Sequence, residues 1–450
     1  MDLTRRELLA GAGAGAALLL AGCGGSSSSP PNSQMHKGIS LAGDHNRYAD
    51  ALDVRPYLLD AARPATFLSL WISWASVQPQ APAPFTRAQA FRELGDPAGP
   101  GAAVFAGLDE QIARANRDGL TVALLVYQSF PAWAHPSVKL DPTRDPASGG
   151  RGYPELGQSS LAHDARIPDD LTPEGPWAWF VAYLCARYAD ADGVQTPGPG
   201  RGGAEVGNPQ GAHVEWLQPM NEPNLTWWPQ RSPLLPGGTM AGAVAQMARS
   251  AATVAAGYRK RGGPGLLIPG TSDVGTPPAP RGTPWDVFSD ELLRRLRGWK
   301  PEVPVGWAHH NWVDVKYGPR ANGRLRVEDL LTLQRKHDWP DPSVWITEGG
   351  YQFTVHRDGP AGSSRFLVDP TGTADARHRD VYAEQVALLA ANWRAMSRLP
   401  VRLWSQYLVN DTDVRFQSGL RGPIQADASG AIGPAADPYP AYDLWPTLGA

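Results

Sequence analysis

Short apolar runs alternate with longer amphipathic stretches along most of this chain, and this alternation constrains the fold more than any other sequence feature. Each apolar run has the length and residue types of a buried strand, and the stretches between them have helical spacing. Such an alternation is typical of parallel strands joined by crossover helices. We predict eight strands at residues 38–41, 66–72, 120–126, 214–219, 266–268, 305–308, 344–347 and 401–407.

The stretches between these runs predict helices that would cover the sheet. They lie at residues 54–62, 108–117, 177–190, 240–261, 285–296, 327–337 and 376–397, with a short closing helix at 440–448. Eight strands alternating with helices predict one (β/α)8 barrel over residues 37–450. The stretches that follow the strands, such as 129–176 and 410–437, are longer than those that precede them. We therefore expect long loops to build a cleft at the carboxyl ends of the strands.

The fourth predicted strand runs into Asn221-Glu222-Pro223. Pro219 and Pro223 prevent a helix from continuing through this stretch, so the Glu222 carboxyl should lie just past the end of the strand. Enzymes built on barrels place their chemistry at that end, where a carboxyl beside an amide can donate a proton while the amide orients a substrate. A turn that ends the strand explains the tripeptide equally well, because Asn and Pro are common turn residues.

The seventh predicted strand also ends in a glutamate, Glu348, and the glycines Gly349 and Gly350 then allow the backbone to turn away. Retaining glycoside hydrolysis needs two carboxyl groups roughly 5 Å apart, one as acid/base and one as nucleophile. Two barrel strands can supply one carboxyl each. Glu222 and Glu348 therefore predict a glycosidase that needs no cofactor.

With these two stretches the chain resembles glycoside hydrolase clan A, whose TIM barrels carry Asn-Glu-Pro after strand four and a nucleophilic glutamate after strand seven. The resemblance spans most of the chain, and a cellulase-like family five or a family thirty-nine type enzyme looks most similar. It implies that Glu222 is the acid/base, that Glu348 is the nucleophile and that Asn221 bonds the 2-hydroxyl of the sugar. Residues 68–76 lack the arginine that family five carries near the end of strand two.

Two histidines, His309 and His310, end the sixth predicted strand. We expect one of them to bond a substrate hydroxyl or to orient a glutamate. Structural packing is one alternative, and a metal-dependent hydrolase is another. The metal alternative would need further ligands, and the sequence contains no His-Glu-x-x-His motif or Cys/His cluster to supply them.

Tryptophan is unusually frequent, with 17 residues, and indole faces stack on sugars as well as in protein cores. The clan resemblance implies that Trp404, in the eighth predicted strand, forms the floor of the subsite for the sugar that is cleaved. Trp71 and Trp74, at the end of strand two, cannot both face inward, so one should belong to the core. Further candidate sugar platforms, with packing as the alternative for each, are Trp133, Trp227, Trp228 and Tyr351.

The N-terminus predicts export. A twin-arginine stretch, Thr4 to Leu9, precedes an apolar run over 8–21, and Leu20-Ala21-Gly22-Cys23 resembles the signal of bacterial lipoproteins. We predict a signal peptide at 1–22 and a flexible tether at 23–36, with the protein anchored outside the cytoplasmic membrane by lipid on Cys23. An ordinary cleaved signal, giving a secreted protein, is the alternative. Cys185, the other cysteine, lies in an apolar helical pattern and is expected to pack in the core.

The charge balance gives no sign of a polyanionic partner. The formal net charge is −3 and the isoelectric point is near 6.4, so neither nucleic acid nor an anionic membrane surface is expected to bind. The predicted partner is a carbohydrate substrate, with the lipid anchor as the only membrane contact. A surface lipoprotein that binds glycan without cutting it is the alternative from another functional class, and both intact glutamates count against it.

Overall fold

Eight parallel strands form the sheet of this protein. The computed structural model describes residues 35–42, 47–48, 54–60, 62–127, 130–135, 167–189, 211–225, 228–274, 282–352, 379–411, 418–421 and 438–449. The strands follow one another in chain order around a closed barrel, which confirms the predicted (β/α)8 fold. They are β1 (His36–Ser40), β2 (Phe67–Ile72), β3 (Thr121–Val126), β4 (Trp216–Gln218), β5 (Gly265–Ser272), β6 (Val305–His310), β7 (Val344–Glu348) and β8 (Val401–Tyr407).

Helices lie between the strands, as the alternation predicted. Those in the described residues are α1 (Val54–Leu59), α2 (Trp74–Val77), α3 (Arg87–Leu94), α4 (Ala102–Arg117), α5 (Pro176–Tyr188), α6 (Met240–Ala256), α7 (Trp285–Leu296), α8 (Trp312–Tyr317), α9 (Arg326–Lys336), α10 (Arg379–Met396) and α11 (Pro440–Leu444). Short 3₁₀ turns occur at Ala132–Ala134, Pro236–Gly238, Arg259–Arg261 and Trp445–Thr447. None of the described helices is long and apolar enough to cross a membrane.

Internal contacts divide the chain into two compact units. The first unit comprises residues 69–310 and 328–345, and the second comprises the described residues of 1–68, 311–327 and 346–450. In the first unit Leu217 of β4 lies opposite Leu124 of β3 and Leu266 of β5, and all three side chains are fully buried. Burying a leucine stabilises a fold by about 1.5–3 kcal/mol. In the second unit β1 pairs with β8, with Gly38 opposite Ser405, where a Cβ on Gly38 would overlap the serine hydroxyl.

Strand β5 is longer than predicted, because a bulge allows it to contain a proline. The register between β5 and β6 shifts between Pro269 and Thr271. Gly270 stands at this shift with a φ of 70°, a conformation that favours glycine. The predicted strand ended at Ile268, directly before this proline, a residue that is rarely found inside a strand.

Among the helices that the structure describes, three short ones were not predicted. Helices α2 and α3 directly follow the N-cap residues Ser73 and Thr86, whose side chains accept hydrogen bonds from the backbone nitrogens of Ser76 and Gln89. N-capping was therefore the signal present in the sequence. Helix α8 lies where a loop was expected. Its residue Asp314 is buried, and its carboxylate accepts bonds from the backbone nitrogens of residues 326 and 327 at 2.9 and 3.0 Å, which caps the start of α9.

Cys185 on α5 is fully buried, and burial raises the pKa of its thiol to about 12, which confirms a packing role.

Many of the aromatic side chains pack in the core. Trp74 is the core member of the predicted Trp71/Trp74 pair and stacks on Phe180 with ring centroids 5.2 Å apart. In the described part of the chain, the tryptophans with less than 2 % exposure are Trp74, Trp177, Trp228, Trp307, Trp404 and Trp445.

Candidate active site

Glu222 is held in a strained backbone conformation just past β4. Its φ is 43°, in the left-handed region that residues other than glycine rarely adopt. Its backbone nitrogen donates to the carbonyl of Gly270 at 3.1 Å, and its carbonyl accepts from Leu225 at 3.1 Å. The bulge of β5 therefore helps to fix the turn that carries Glu222. Strain that the surroundings enforce in this way is often found at functional sites.

The side-chain amide of Gln218 donates hydrogen bonds to the turn that carries Asn221. Gln218 is fully buried at the end of β4, and its Nε2 donates to the carbonyl of Met220 at 3.1 Å and to Oδ1 of Asn221 at 3.2 Å. A Cβ on Gly270 would overlap this same Nε2, and the positive φ of Gly270 also disfavours any other residue there. Gln218 was not among the predicted site residues. Its signal was a polar side chain within an apolar strand, a position where burial requires hydrogen bonds.

His310 is the histidine that contacts the candidate acid. Its Nδ1 lies 2.9 Å from Oε1 of Glu222, and its imidazole is fully buried. The Glu222 side chain is 11 % exposed, which leaves its carboxyl partly open. His309 points elsewhere, with its Nδ1 3.1 Å from the hydroxyl of Thr271 on β5. The difference follows from the strand geometry, since successive side chains point to opposite faces.

Glu222 and His310 are also the kinds of residue that could hold a metal ion. Carboxylate oxygens and neutral imidazole nitrogens both bind divalent metals. In this structure, however, Oε1 and Nδ1 are within hydrogen-bond distance of each other. A metal ion that used both atoms would have to replace that hydrogen bond.

In the second unit, Glu348 ends β7, and the residue is 4 % exposed. The carbonyl of Glu348 accepts from the backbone nitrogen of Asn311 at 3.3 Å, and the carbonyl of Gly349 accepts from Tyr407 at 2.7 Å. Gly350 has a φ of 145°, and a Cβ on Gly349 would overlap Oδ1 of Asn311. The two glycines are therefore required for the backbone to leave β7 in this direction, as the sequence indicated.

Two of the predicted sugar platforms are fully buried. Trp404 donates from Nε1 to Oδ1 of Asn392 at 2.9 Å and packs edge-on against Trp393. Trp228 donates from Nε1 to the carbonyl of Asn221 at 3.0 Å and packs near Phe130. In this structure both indoles pack in the interior with no face open to a sugar, and Trp228 supports the backbone of Asn221.

The other platforms differ in exposure. Tyr351 is 3 % exposed, and its hydroxyl donates to Glu384 at 2.6 Å; burial, together with that carboxylate, raises the pKa of the hydroxyl. Trp133 is partly exposed, and its Nε1 donates to the carbonyl of Gln78 at 3.0 Å. Trp227 lies outside the described residues.

An aromatic pair that the sequence analysis did not propose as a platform lies at the ends of β2 and β3. Trp71 is partly exposed, and its ring centroid lies 4.7 Å from that of Tyr127, which is 38 % exposed. The backbone of Tyr127 donates to Ile72 at 2.8 Å, which fixes the pair at the carboxyl end of both strands. Exposed aromatic faces in this position could stack on a sugar.

Comparisons with known proteins found similar solved structures. No family model matches the chain, and no curated protein matches it. Among solved structures, a hyperthermophilic β-glucosidase mutant is similar with a TM-score of 0.48 and 13 % identity, over 93 % of this chain and 100 % of the other. A GH39 β-xylosidase from Caulobacter crescentus is similar with a TM-score of 0.46 and 13 % identity, over 94 % of this chain and 72 % of the other.

A GH5_18 protein from Bifidobacterium longum subsp. longum is similar with a TM-score of 0.44 and 13 % identity, over 92 % of this chain and 79 % of the other. At these identities and TM-scores, the likeness assigns no family, substrate or residue role to this chain.

Proposed function

We propose that this protein is a retaining O-glycoside hydrolase in which Glu222 is the acid/base and Glu348 is the nucleophile. The observation that carries the proposal is the contact between Glu222 and His310. Glu222 has a strained backbone and a partly open side chain, and its carboxylate lies 2.9 Å from a buried imidazole at the C-terminal ends of two barrel strands. Glu348 ends a third strand of the same barrel. Parallel strands place their carboxyl ends on one face of a barrel, which supports a shared role for the two glutamates.

The proposed reaction has two steps. First, Glu348 attacks the anomeric carbon while Glu222 gives its proton to the departing glycosidic oxygen, which leaves a covalent glycosyl-enzyme. Glu222 then takes a proton from water, and the resulting hydroxyl displaces Glu348 and releases the sugar. His310 orients the Glu222 carboxyl, and Asn221, held by Gln218, bonds the 2-hydroxyl of the sugar.

The stereochemical course of hydrolysis tests this proposal directly. We expect the purified protein to hydrolyse at least one member of a panel of aryl glycosides and to release, by ¹H NMR, a sugar with the configuration of the substrate. Retention requires carboxyl groups about 5 Å apart, whereas inversion requires roughly 6.5–9.5 Å. Inverted product would therefore refute the assignment of Glu348 as a nucleophile.

Two other results would redirect the assignment. Binding of glycans without hydrolysis of any substrate would favour the non-catalytic glycan-binding alternative. Loss of hydrolysis on treatment with a chelator, and its return on adding back a divalent metal, would favour a metal-dependent hydrolase instead. The proposed mechanism uses protein side chains alone, so activity should be unchanged by the chelator.

We also propose that the protein is exported and anchored by lipid on Cys23, which lies outside the described residues. Leu20-Ala21-Gly22-Cys23 after a twin-arginine stretch supports this address. Cys23→Ser should move the protein from the membrane fraction to the soluble exported fraction, because no acyl chain can then be attached. Ser26→Ala in the same tether is the matched control and should remain with the membrane. Membrane association that persists in Cys23→Ser would refute the anchor.

A further inference from the structure

Two buried hydrogen-bond donors from different elements converge on one oxygen in the second unit. Nδ2 of Asn311, which follows β6, lies 3.0 Å from Oδ1 of Asn392 on α10, and Nε1 of Trp404 on β8 lies 2.9 Å from the same oxygen. Asn311 and Trp404 are fully buried, and Asn392 is 4 % exposed. Reversing the Asn392 amide would turn its NH₂ group toward both donors and leave them without an acceptor, which is costly for buried groups, so the Asn392 amide has one strongly preferred orientation.

Asn311, one member of this cluster, contacts the backbone of Glu348 and Gly349. The backbone nitrogen of Asn311 donates to that carbonyl at 3.3 Å. The side-chain Oδ1 of Asn311 occupies the space that a Cβ on Gly349 would need. Because Asn392 fixes the Asn311 amide, it also determines where the backbone that carries Glu348 can lie.

We propose that Asn311 and Asn392 are positioning residues that hold the Glu348–Gly349 segment in place for nucleophilic attack. The inference rests on the proposed function, because it assigns the two amides a role through Glu348. Neither amide needs to touch the substrate. A displacement of about 1 Å at a reacting group can cost around 10²-fold in rate, so loss of this support should lower kcat and leave KM nearly unchanged.

The overlap between Gly349 and Asn311 permits a test that a purely structural role would not pass. Gly349→Ala places a methyl group against Asn311 Oδ1 and should push the segment away, lowering kcat about 100-fold. Asn311→Ala removes that oxygen, and the next nearest atom to the new Cβ is then Ile346 Cγ2 at 3.3 Å, a contact that a small shift relieves. In the Asn311→Ala background, Gly349→Ala should therefore lower kcat by less than about threefold.

Asn392 is tested beside a matched buried amide. Asn392→Ala should lower kcat about tenfold or more with KM within about threefold of wild type, and Asn392→Asp, which keeps an acceptor for both donors, should recover part of the loss. The control is Gln334→Ala. Gln334 is also fully buried, and its Nε2 donates at 3.1 Å to the carbonyl of Ser343, at the amino end of β7. It should lower the melting temperature and leave kcat within about threefold of wild type.

The outcomes separate this inference from the proposed function. The positioning role would be overturned if the effects of Gly349→Ala and Asn311→Ala on kcat simply multiplied. It would also be overturned if Gln334→Ala lowered kcat as much as Asn392→Ala does. In both cases hydrolysis with retention by the wild-type protein would still stand. Wild-type protein that hydrolyses no glycoside, or Glu348→Ala protein that keeps full activity, would overturn the proposed function and this inference with it. All rates are measured well below the melting temperature of each variant.

Discussion

Glu348→Ala should abolish turnover, lowering kcat by at least about 10⁴-fold, because no covalent glycosyl-enzyme can form without the nucleophile. The carboxyl is nearly buried at the end of β7, so its loss should leave the exposed surface almost unchanged. The measurement is kcat on the best aryl glycoside of the panel, with the melting temperature recorded for the same preparations. Full activity in this variant would refute the proposed mechanism.

Substitution of Glu348 by glycine makes this prediction more specific. Glu348→Gly should regain measurable activity in azide or formate, because a small anion can fill the vacated space and attack the anomeric carbon. The product should then have inverted configuration, since only one displacement occurs. Rescue with retained configuration would mean that another protein group attacks, and Glu348 would lose its assigned role.

Glu215, at the amino end of β4, provides a matched control for Glu348→Ala. Glu215 precedes β4, and its half-buried carboxylate accepts a hydrogen bond from the backbone of Val122 at 2.7 Å. Burial raises the pKa of this carboxyl, as expected for a group partly withdrawn from water. Glu215→Ala leaves the Val122 N–H without this acceptor, so it should reduce stability, but it should leave kcat within about threefold of wild type.

The sequence predicted the fold well because its strongest signals are local. Each strand and crossover helix leaves a periodic pattern within about a dozen residues, and that pattern does not depend on distant contacts. The position of Glu222 after β4, and of Glu348 at the end of β7, follows from the same patterns. Where a local rule was misleading, as at Pro269, the cause was a bulge that depends on pairing with β6.

The exact partners of the candidate site could not be predicted in this way. The sequence predicted that one of the two histidines would meet a substrate hydroxyl or a glutamate, but it did not indicate which histidine or which glutamate, because His310 lies 88 residues from Glu222. Asn392 lies 81 residues from Asn311, and no local pattern indicates that these two residues meet. Tryptophan posed a different difficulty, since an indole suits both a sugar platform and a core. Only the burial of Trp228 and Trp404 shows that these two pack in the interior.

Glu222→Ala should slow hydrolysis in proportion to how much the leaving group needs a proton. A general acid contributes about 10²–10⁴-fold, so substrates with alkyl or sugar leaving groups should lose about that factor. An activated aryl glycoside departs without protonation and should lose much less in the first step. The alkaline limb of the pH profile should also flatten, because wild type must hold the proton that it donates, whereas the variant has none to lose.

The comparison of leaving groups is what makes this test decisive. His310 contacts the Glu222 carboxyl at 2.9 Å, so removing that carboxyl also disturbs a buried pair and could slow every substrate through structure alone. A structural defect would lower the rates of activated and unactivated glycosides by the same factor and leave the alkaline limb in place. Loss of the general acid instead separates the two substrate classes by about 10²-fold or more. Equal losses for both classes would therefore reject Glu222 as the acid, even if the variant were nearly inactive.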